Sequence, residues 1–253
     1  MSSADEQRFT NENRYTSVLA RLSASPTLKA IFMEAYGDEY PAEADPFGFV
    51  SLSELRAMAD ILAGSAVSRL LDVGCGRGGP GLWIARELSA SLVGVDVVAE
   101  AVAAAGQHAA TLGMAEMAEF RVASGTDTHL PAGAFDGAIS IDALWMIQDK
   151  AAAFREIARV LSPGSLVVFT TWEPVHLDYA AYLTAAGFGS VVKRPLPDAM
   201  RAQVAVYDAI LHCRPSLIAE LGEDAAGVLF AEAIETPVML ETAPRMMVSA
   251  VRG

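Results

Sequence analysis

The chain has 253 residues, of which 53% are hydrophobic, and its 31 acidic and 18 basic residues give a formal net charge of −13. This size allows one large core, while the negative charge, with no Lys/Arg cluster to offset it, disfavours a nucleic-acid partner. The sequence shows neither an apolar run of about 18 residues nor a signal-peptide pattern, so we expect a cytoplasmic protein that does not enter membranes.

The first 63 residues are helical by pattern but are interrupted by an aromatic and proline-bearing stretch from Tyr36 to Phe49. Aromatic side chains in this region could close over a site as a lid and exclude water, or they could pack against a sheet and hold the cap in place. These aromatic residues are Tyr15, Tyr36, Tyr40, Phe47 and Phe49. We include Tyr15 among the candidate substrate contacts.

From Gly64 to about Arg194, short apolar or β-branched runs alternate with longer helical patterns, which predicts an α/β fold with a parallel sheet wrapped by helices. The predicted strands are Ser68 to Val73, Ser91 to Asp96, Glu119 to Val122, Asp136 to Ile141 and Ser165 to Thr171. Asp149 is predicted to cap a helix before the fifth strand, and Pro163-Gly164 to end that helix.

The remaining chain reads as a strand near Ser190 to Lys193, a helical segment and a closing strand from Met246 to Val251. Without an internal repeat or a low-complexity linker, these segments predict appendages on one domain. We therefore expect a single domain of 253 residues. Its predicted parts are a helical cap (1–63), a core (64–194), a helical insertion (195–244) and the closing strand (245–253).

The segment LLDVGCGRGGPG, from Leu70 to Gly81, is the most informative in the chain. A buried strand runs into closely spaced glycines, which allow a sharp turn and let a ligand lie against bare peptide groups. Pro80 follows where the first turn of a helix tolerates a missing N–H. Cys75 fits as a small filler of this turn. Cys75 and Cys213, the only cysteines, offer neither a disulfide framework nor a zinc spacing, so no metal is expected.

A second signal is Asp96, which ends the next predicted strand 22 residues after Gly74. A carboxylate there can accept hydrogen bonds from both hydroxyls of a ribose. Together the two signals predict a nucleoside site without separating adenosylmethionine from NAD.

Taken together, the motifs resemble those of the class I S-adenosyl-L-methionine-dependent methyltransferases over about 100 residues. LLDVGCGRGG is similar to the family's first motif and GVDVV to its second, while LPAGAFDGAISIDALW and REIARVLSPGSLVVFTTW resemble the segments around the fourth and fifth strands. The resemblance implies a Rossmann-like doubly wound sheet, mostly parallel with an antiparallel last strand. It also implies S-adenosyl-L-methionine as methyl donor and S-adenosyl-L-homocysteine as product.

The resemblance implies a set of donor contacts, with Asp96 on the ribose and Asp72 near the methionine moiety. The cofactor-binding candidates are Asp72, Gly74, Cys75, Gly76, Asp96, Val97, Thr126, Asp127 and Asp142. The chain departs from the family after the third strand, where an acid that binds adenine often follows a glycine directly. Here Thr126 follows Gly125, so adenine is held either by Asp127 through a shifted loop or by Thr126 and backbone.

The acceptor is expected at the carboxyl edge of the fourth and fifth strands, where ligands sit in open α/β sheets. His176 is the first candidate for a general base because an unperturbed histidine titrates near neutral pH. Asp142 and Glu173 are the alternatives. Trp145 and Trp172 could offer π-faces to the sulfonium or to an aromatic acceptor, or they could be core aromatics.

We therefore interpret the chain as a methyltransferase acting on a small organic molecule, with O- or N-methylation favoured over C-methylation and a role in specialised metabolism suggested by analogy. Two alternatives remain at this stage. One is a member of the fold that binds the donor without methylating, and the other is an NAD-dependent oxidoreductase. A monomer and a homodimer are both compatible with the sequence.

Overall fold

A computed structural model of the chain describes Leu22, residues 25–46 and residues 48–253. Its helices are α1 (Pro26–Tyr36), α2 (Leu52–Ala63), α3 (Gly79–Leu88), α4 (Ala99–Thr111), α5 (Lys150–Val160), α6 (Tyr179–Ala185), α7 (Pro197–His212), α8 (Arg214–Leu221) and α9 (Glu223–Leu240). Its strands are β1 (Arg69–Val73), β2 (Ser91–Asp96), β3 (Ala118–Val122), β4 (Phe135–Ile141), β5 (Leu161–Trp172), β6 (Phe188–Pro195) and β7 (Arg245–Arg252).

The seven strands form one sheet in the order β3-β2-β1-β4-β5-β7-β6. β1 to β5 pair in parallel, and β7 runs antiparallel to both of its neighbours, β5 and β6. The predicted Rossmann-like fold class is therefore confirmed, including the antiparallel last strand. Because β1 lies between β2 and β4, the chain switches direction across the sheet at β1. In open α/β sheets the carboxyl ends of the strands at such a switch point border the ligand crevice.

Alternate residues of the strands enter two separate cores on the two faces of the sheet. Leu71 and Val73 of β1 join one core, and Leu70 joins the other. α5 and α6 cover the first face, and α2 and α3 cover the second. Both faces are therefore buried, which explains why the central strands read as continuous apolar runs rather than as alternating ones.

Two compact units make up the chain, and each has its own packing. The larger contains the whole sheet and consists of residues 38–200 and 240–253. The smaller contains α1 with residues 201–239, where the Ser25 and Thr27 side chains donate hydrogen bonds to Glu220. The helical character predicted for residues 195–244 takes the form of α7, α8 and α9. Organisation as a single domain stays a prediction.

The boundary between α5 and β5 differs from the sequence prediction. Asp149 caps α5 as predicted, since its Oδ1 atom accepts a hydrogen bond from the Ala152 N–H at 2.8 Å. The helix, however, ends at Val160, and β5 already begins at Leu161, which pairs with Phe135. Pro163-Gly164 therefore lies inside the strand, at a shift in the β4–β5 register, and does not terminate the helix. A β-bulge tolerates both residues because its extra residues make no ladder hydrogen bonds.

Candidate functional site

The glycine turn after β1 adopts a backbone that only glycine takes up without strain. Gly74 and Gly76 have φ angles of 75° and 51°, in the left-handed region. The Gly74 N–H donates to the Val95 carbonyl at 2.8 Å, which ties the turn to the end of β2. A side chain at Gly74 would overlap Ala143, whereas a Cβ at Gly76 would meet no atom of the described residues within 4 Å. The turn is thus packed on one side and has unfilled space beside Gly76.

Asp96 lies directly beside this turn, at the end of β2. Its Oδ2 atom accepts a hydrogen bond from the Gly76 N–H at 2.9 Å, and its Oδ1 atom accepts one from the Val98 N–H at 2.9 Å. Each carboxylate oxygen has a second lone pair, so Asp96 can accept further hydrogen bonds from a ligand. The bare peptides of the turn and the acid predicted to bind ribose therefore border the same space.

Asp72 of β1 is 2% exposed. Its Oδ1 atom has no hydrogen-bond partner among the described residues. Burial, with the nearby charge of Asp96, raises the pKa of Asp72 to about 8. A side chain at Gly81, in the first turn of α3, would overlap Asp72 Oδ2. An unpaired buried acceptor is costly, and a ligand that brings a cationic donor to this carboxylate would relieve that cost.

Cys75 has no sign of a reactive thiol. The side chain is 6% exposed, and its burial and the nearby Asp72 and Asp96 raise its pKa. The thiol therefore stays protonated at neutral pH and is a poor nucleophile. This agrees with the prediction that Cys75 fills the turn.

Three further cofactor-binding candidates lie on the neighbouring loops, and two of them, Thr126 and Asp127, are the adenine candidates. Val97 follows Asp96 directly, and 68% of its surface is exposed, so its apolar side chain is accessible to a flat ring. Thr126 and Ser124 share a hydrogen bond of 2.8 Å between their hydroxyls. Asp127 is exposed and lies 3.1 Å from His129. Thr126 and Asp127 remain alternatives for the adenine contact.

Across the sheet, Asp142 follows β4 with a φ angle of 55°. Such a backbone is strained for a residue other than glycine, and strain of this kind clusters at functional sites. Its Oδ1 atom accepts hydrogen bonds from Thr170 Oγ1 at 2.7 Å and from Arg245 Nη1 at 2.5 Å. Its Oδ2 atom is buried without a partner among the described residues.

Arg245 and Glu54 belong to this arrangement, although the sequence analysis singled out neither. Arg245, the first residue of β7, is 0% exposed and donates from Nε to Glu54 Oε1 at 3.0 Å. Burial lowers the pKa of the guanidinium, but Asp142 and Glu54 outweigh this effect and raise the pKa overall. For the acid Glu54, burial has the opposite effect and raises the pKa. The one sequence signal for Arg245 was its position directly before the apolar residues Met246, Met247 and Val248 of the closing strand.

The two candidate tryptophans are in contact at the ends of β4 and β5. Trp145 meets Trp172 edge to face with 5.7 Å between ring centroids, and Phe49 meets Trp172 in the same way at 6.2 Å. The Arg245 guanidinium lies over the Trp172 ring, 4.9 Å from its centroid. These rings form an aromatic wall beside Asp142.

The other two base candidates lie on the loop after β5. Glu173 Oε1 accepts a hydrogen bond from the Tyr179 N–H at 3.0 Å, and Oε2 pairs with Lys193 at 2.7 Å. His176 is exposed. Both oxygens of Glu173 are thus engaged, so Asp142, with one unpaired oxygen, is the better placed acid. Tyr15 and Phe47 lie outside the described residues.

Within the part of the chain that the structure describes, no group of three or more His, Cys, Asp or Glu side chains could hold a metal ion. No described helix is both long and apolar enough to cross a membrane. The expectation that no metal is used stays a prediction.

Residues 71–169 match the family model described as "Methyltransferase domain". Phosphoethanolamine N-methyltransferase 3 of Arabidopsis thaliana is 33% identical over 148 residues, which make up 56% of this chain and 30% of that protein. The chain thus spans less than a third of the length of that curated relative. The match to the family model, over residues 71–169, lies within the segment that carries the sequence resemblance to class I methyltransferases, and it confirms that resemblance.

Two solved structures share the fold. The phosphoethanolamine N-methyltransferase 2 of Haemonchus contortus, in complex with phosphomonomethylethanolamine and S-adenosylhomocysteine, has a TM-score of 0.70 at 17% identity and covers 88% of this chain and 56% of that chain. The [4+2]-cyclase SpnF has a TM-score of 0.69 at 21% identity and covers 89% of this chain and 93% of that chain.

Proposed function

We propose, from the premise that residues 71–169 of this chain are a class I methyltransferase domain, that the protein binds S-adenosyl-L-methionine beside the glycine turn and methylates a small organic molecule. The observation that carries this proposal is the shared space of the Gly76 peptide and the Asp96 carboxylate, which are joined at 2.9 Å. When bound, the donor supplies a methyl group that its sulfonium has already activated.

The residues present fit an adenosine-bearing cation. Asp96 has spare lone pairs for a ribose, and the exposed side chain of Val97 is accessible to the adenine ring. The Oδ1 atom of Asp72 has no hydrogen-bond partner among the described residues, and an ammonium group could donate to it. Gly76 leaves room for a ligand against the peptide. We assign Asp96 to the ribose and Asp72 to the methionine end, and we leave adenine to Val97 with Thr126 or Asp127.

The protein's part in the reaction is then to align donor and acceptor and to exclude water, and orientation of this kind can supply roughly 7–11 kcal/mol. The acceptor lies beside Asp142, Trp145 and Trp172, at the carboxyl ends of β4 and β5. We propose methylation at oxygen or nitrogen, with a base drawn from Asp142, His176 and Glu173. Asp142 comes first, because its Oδ2 atom is unpaired. A role in specialised metabolism, a cytoplasmic location and a monomer or homodimer belong to the same proposal.

A second candidate is a donor-binding protein that does not methylate. It is supported by the [4+2]-cyclase SpnF, which is named for a different reaction and shares this fold over 93% of its own chain. Incubating the full chain with methyl-labelled donor and a panel of small alcohols, phenols and amines separates the two. Labelled product and released S-adenosylhomocysteine support methylation. Tight donor binding with no release from any acceptor favours the second candidate.

A further inference from the structure

The buried network of Glu54, Arg245 and Asp142 leaves one hydrogen-bond donor and one acceptor unused. Arg245 donates through Nε to Glu54 and through Nη1 to Asp142. Arg245 Nη2 and Asp142 Oδ2 are both buried and have no partner among the described residues. Buried polar groups are nearly always hydrogen-bonded, so these two atoms are candidate contacts for a polar group of a bound ligand.

The chemistry of that group follows from the two atoms. Asp142 Oδ2 requires a donor, and Arg245 Nη2 requires an acceptor. An ammonium group donates only, and it would face the guanidinium charge. A carboxylate accepts only, and it would face Asp142. A hydroxyl donates one hydrogen bond, accepts others and is uncharged at neutral pH, so it satisfies both atoms without first losing a proton, as an ammonium group must.

The surroundings indicate what carries the hydroxyl. The Arg245 guanidinium lies over the Trp172 ring, and Trp145 contacts Trp172 and is 47% exposed, so the aromatic wall extends from the surface to Arg245. Gly48 is a neighbour of this carboxylate, since a Cβ at Gly48 would lie 3.8 Å from Asp142 Oδ2, in ordinary van der Waals contact. A flat aromatic body fits such a wall through edge and face contacts.

We propose that Asp142 and Arg245 form the subsite for the reacting group of the acceptor, and that this group is a hydroxyl on an aromatic body. The inference rests on the proposed function. The acceptor oxygen forms its bond to the methyl carbon as the methyl–sulfur bond breaks, and the electron pair of that bond stays on sulfur. The hydroxyl proton passes to Asp142 Oδ2, and Arg245 Nη2 donates to the oxygen throughout. Glu54 is a positioning residue that holds Arg245.

The test uses the full chain saturated with S-adenosylhomocysteine, its tryptophans labelled with nitrogen-15 at the indole. Benzyl alcohol, benzylamine and benzoate share one ring and differ in the head group, and they are titrated while the indole signals are followed. We expect benzyl alcohol to shift the signals of Trp145 and Trp172 but not that of Trp83, which is buried elsewhere in the core. We expect its affinity to exceed that of the other two probes by about tenfold, the value of one charge-assisted hydrogen bond.

Two substitutions with matched controls complete the test. Asp142→Asn and Arg245→Lys should each weaken benzyl alcohol binding by about tenfold. Glu87→Gln, on the exposed side of α3, and Arg252→Lys, at the other end of β7, should leave it unchanged. The comparison of the three probes on the unmodified protein decides the question even where a substituted chain does not fold.

Several outcomes overturn the inference. They are the absence of any shift with benzyl alcohol, stronger binding of benzylamine or benzoate, and unchanged alcohol affinity in a folded Asp142→Asn protein. The last result would mean that water, and not the acceptor, forms the hydrogen bonds to Asp142 Oδ2 and Arg245 Nη2. A chain that binds S-adenosylhomocysteine but fails these tests keeps the proposed function and loses only the hydroxyl subsite. A chain that does not bind S-adenosylhomocysteine loses the proposed function itself.

Discussion

The Gly76 N–H donates a hydrogen bond to the Oδ2 atom of Asp96 at 2.9 Å, so the turn after β1 and the acid that ends β2 form one structure. Asp96 thereby holds the turn in place while its remaining lone pairs stay available. The proposed donor site therefore combines a rigid backbone with a carboxylate of fixed orientation, which is the preorganisation that tight binding requires.

Replacing Gly76 by alanine should weaken S-adenosylhomocysteine binding more than it destabilises the fold. The φ angle of 51° costs a side chain about 1–2 kcal/mol, and the added methyl group projects into the space assigned to the donor. Gly113→Ala is the matched control, because Gly113 also has a positive φ angle, 70°, and no described neighbour within 4 Å of its Cβ position. Calorimetric titration and thermal melts of both variants measure the two effects. Equal binding by both variants would argue against a donor at Gly76.

Replacing Asp72 by asparagine should stabilise the ligand-free protein at high pH. Burial and Asp96 raise the pKa of Asp72 from 3.8 to about 8 in the folded state. Between these values the folded protein holds a proton that the unfolded chain has lost, so the free energy of unfolding falls as pH rises toward 8. Asparagine does not titrate, so the free energy of unfolding of the variant does not fall in this way. Urea unfolding at pH 4 and pH 8.5 should show a gain only at the higher pH, and an equal effect at both would contradict the assignment.

Donor binding should strengthen as pH rises toward 8. If the ammonium group of the donor pairs with Asp72, it lowers the pKa of this carboxyl, and binding releases a proton below pH 8. The affinity for S-adenosylhomocysteine then rises by at most about tenfold per pH unit. Calorimetry in two buffers of different ionisation enthalpy counts the released proton. The affinity of the Asp72→Asn protein for S-adenosylhomocysteine should not depend on pH in this way. If this variant still releases a proton on binding, the titrating group is a different residue.

Replacing Arg245 by methionine should destabilise the fold strongly. The change leaves Asp142 and Glu54 buried without their cation, and removing one partner of a buried ion pair typically costs about 3–5 kcal/mol. Arg252→Met, on the same strand, is the control and should change the free energy of unfolding by within about 0.5 kcal/mol. Chemical denaturation measures both. A loss of less than about 1 kcal/mol for Arg245→Met would show that the network is not needed for stability.

Local patterns predicted the sheet and supplied the residues of the proposed donor site, because both depend on short segments of the chain. β2 has the predicted bounds, and the turn and Asp96 lie within one strand–helix–strand unit. The end of α5 was mispredicted, since Pro163-Gly164 normally terminates helices and the bulge that accommodates it depends on pairing with β4.

The Arg245 network was missed for a related reason. Arg245 is 191 residues from Glu54 and 103 from Asp142, and no local periodicity reports a pairing over such distances. Asp142 itself could be nominated from its place after β4, but the direction of its two oxygens depends on Thr170 and Arg245. A candidate residue at the end of one strand could thus be predicted from the sequence, whereas contacts between segments far apart in the sequence could not.

The most direct test of the donor site is calorimetric titration of the full chain with S-adenosylhomocysteine and, separately, with NAD. The proposal predicts binding of the first and not of the second. It also predicts a loss of about tenfold or more in Asp96→Ala, since a charge-assisted hydrogen bond contributes roughly 1.5–3 kcal/mol, with Glu87→Gln unchanged. Binding of NAD in preference to S-adenosylhomocysteine, or an affinity that Asp96→Ala leaves intact, would contradict it.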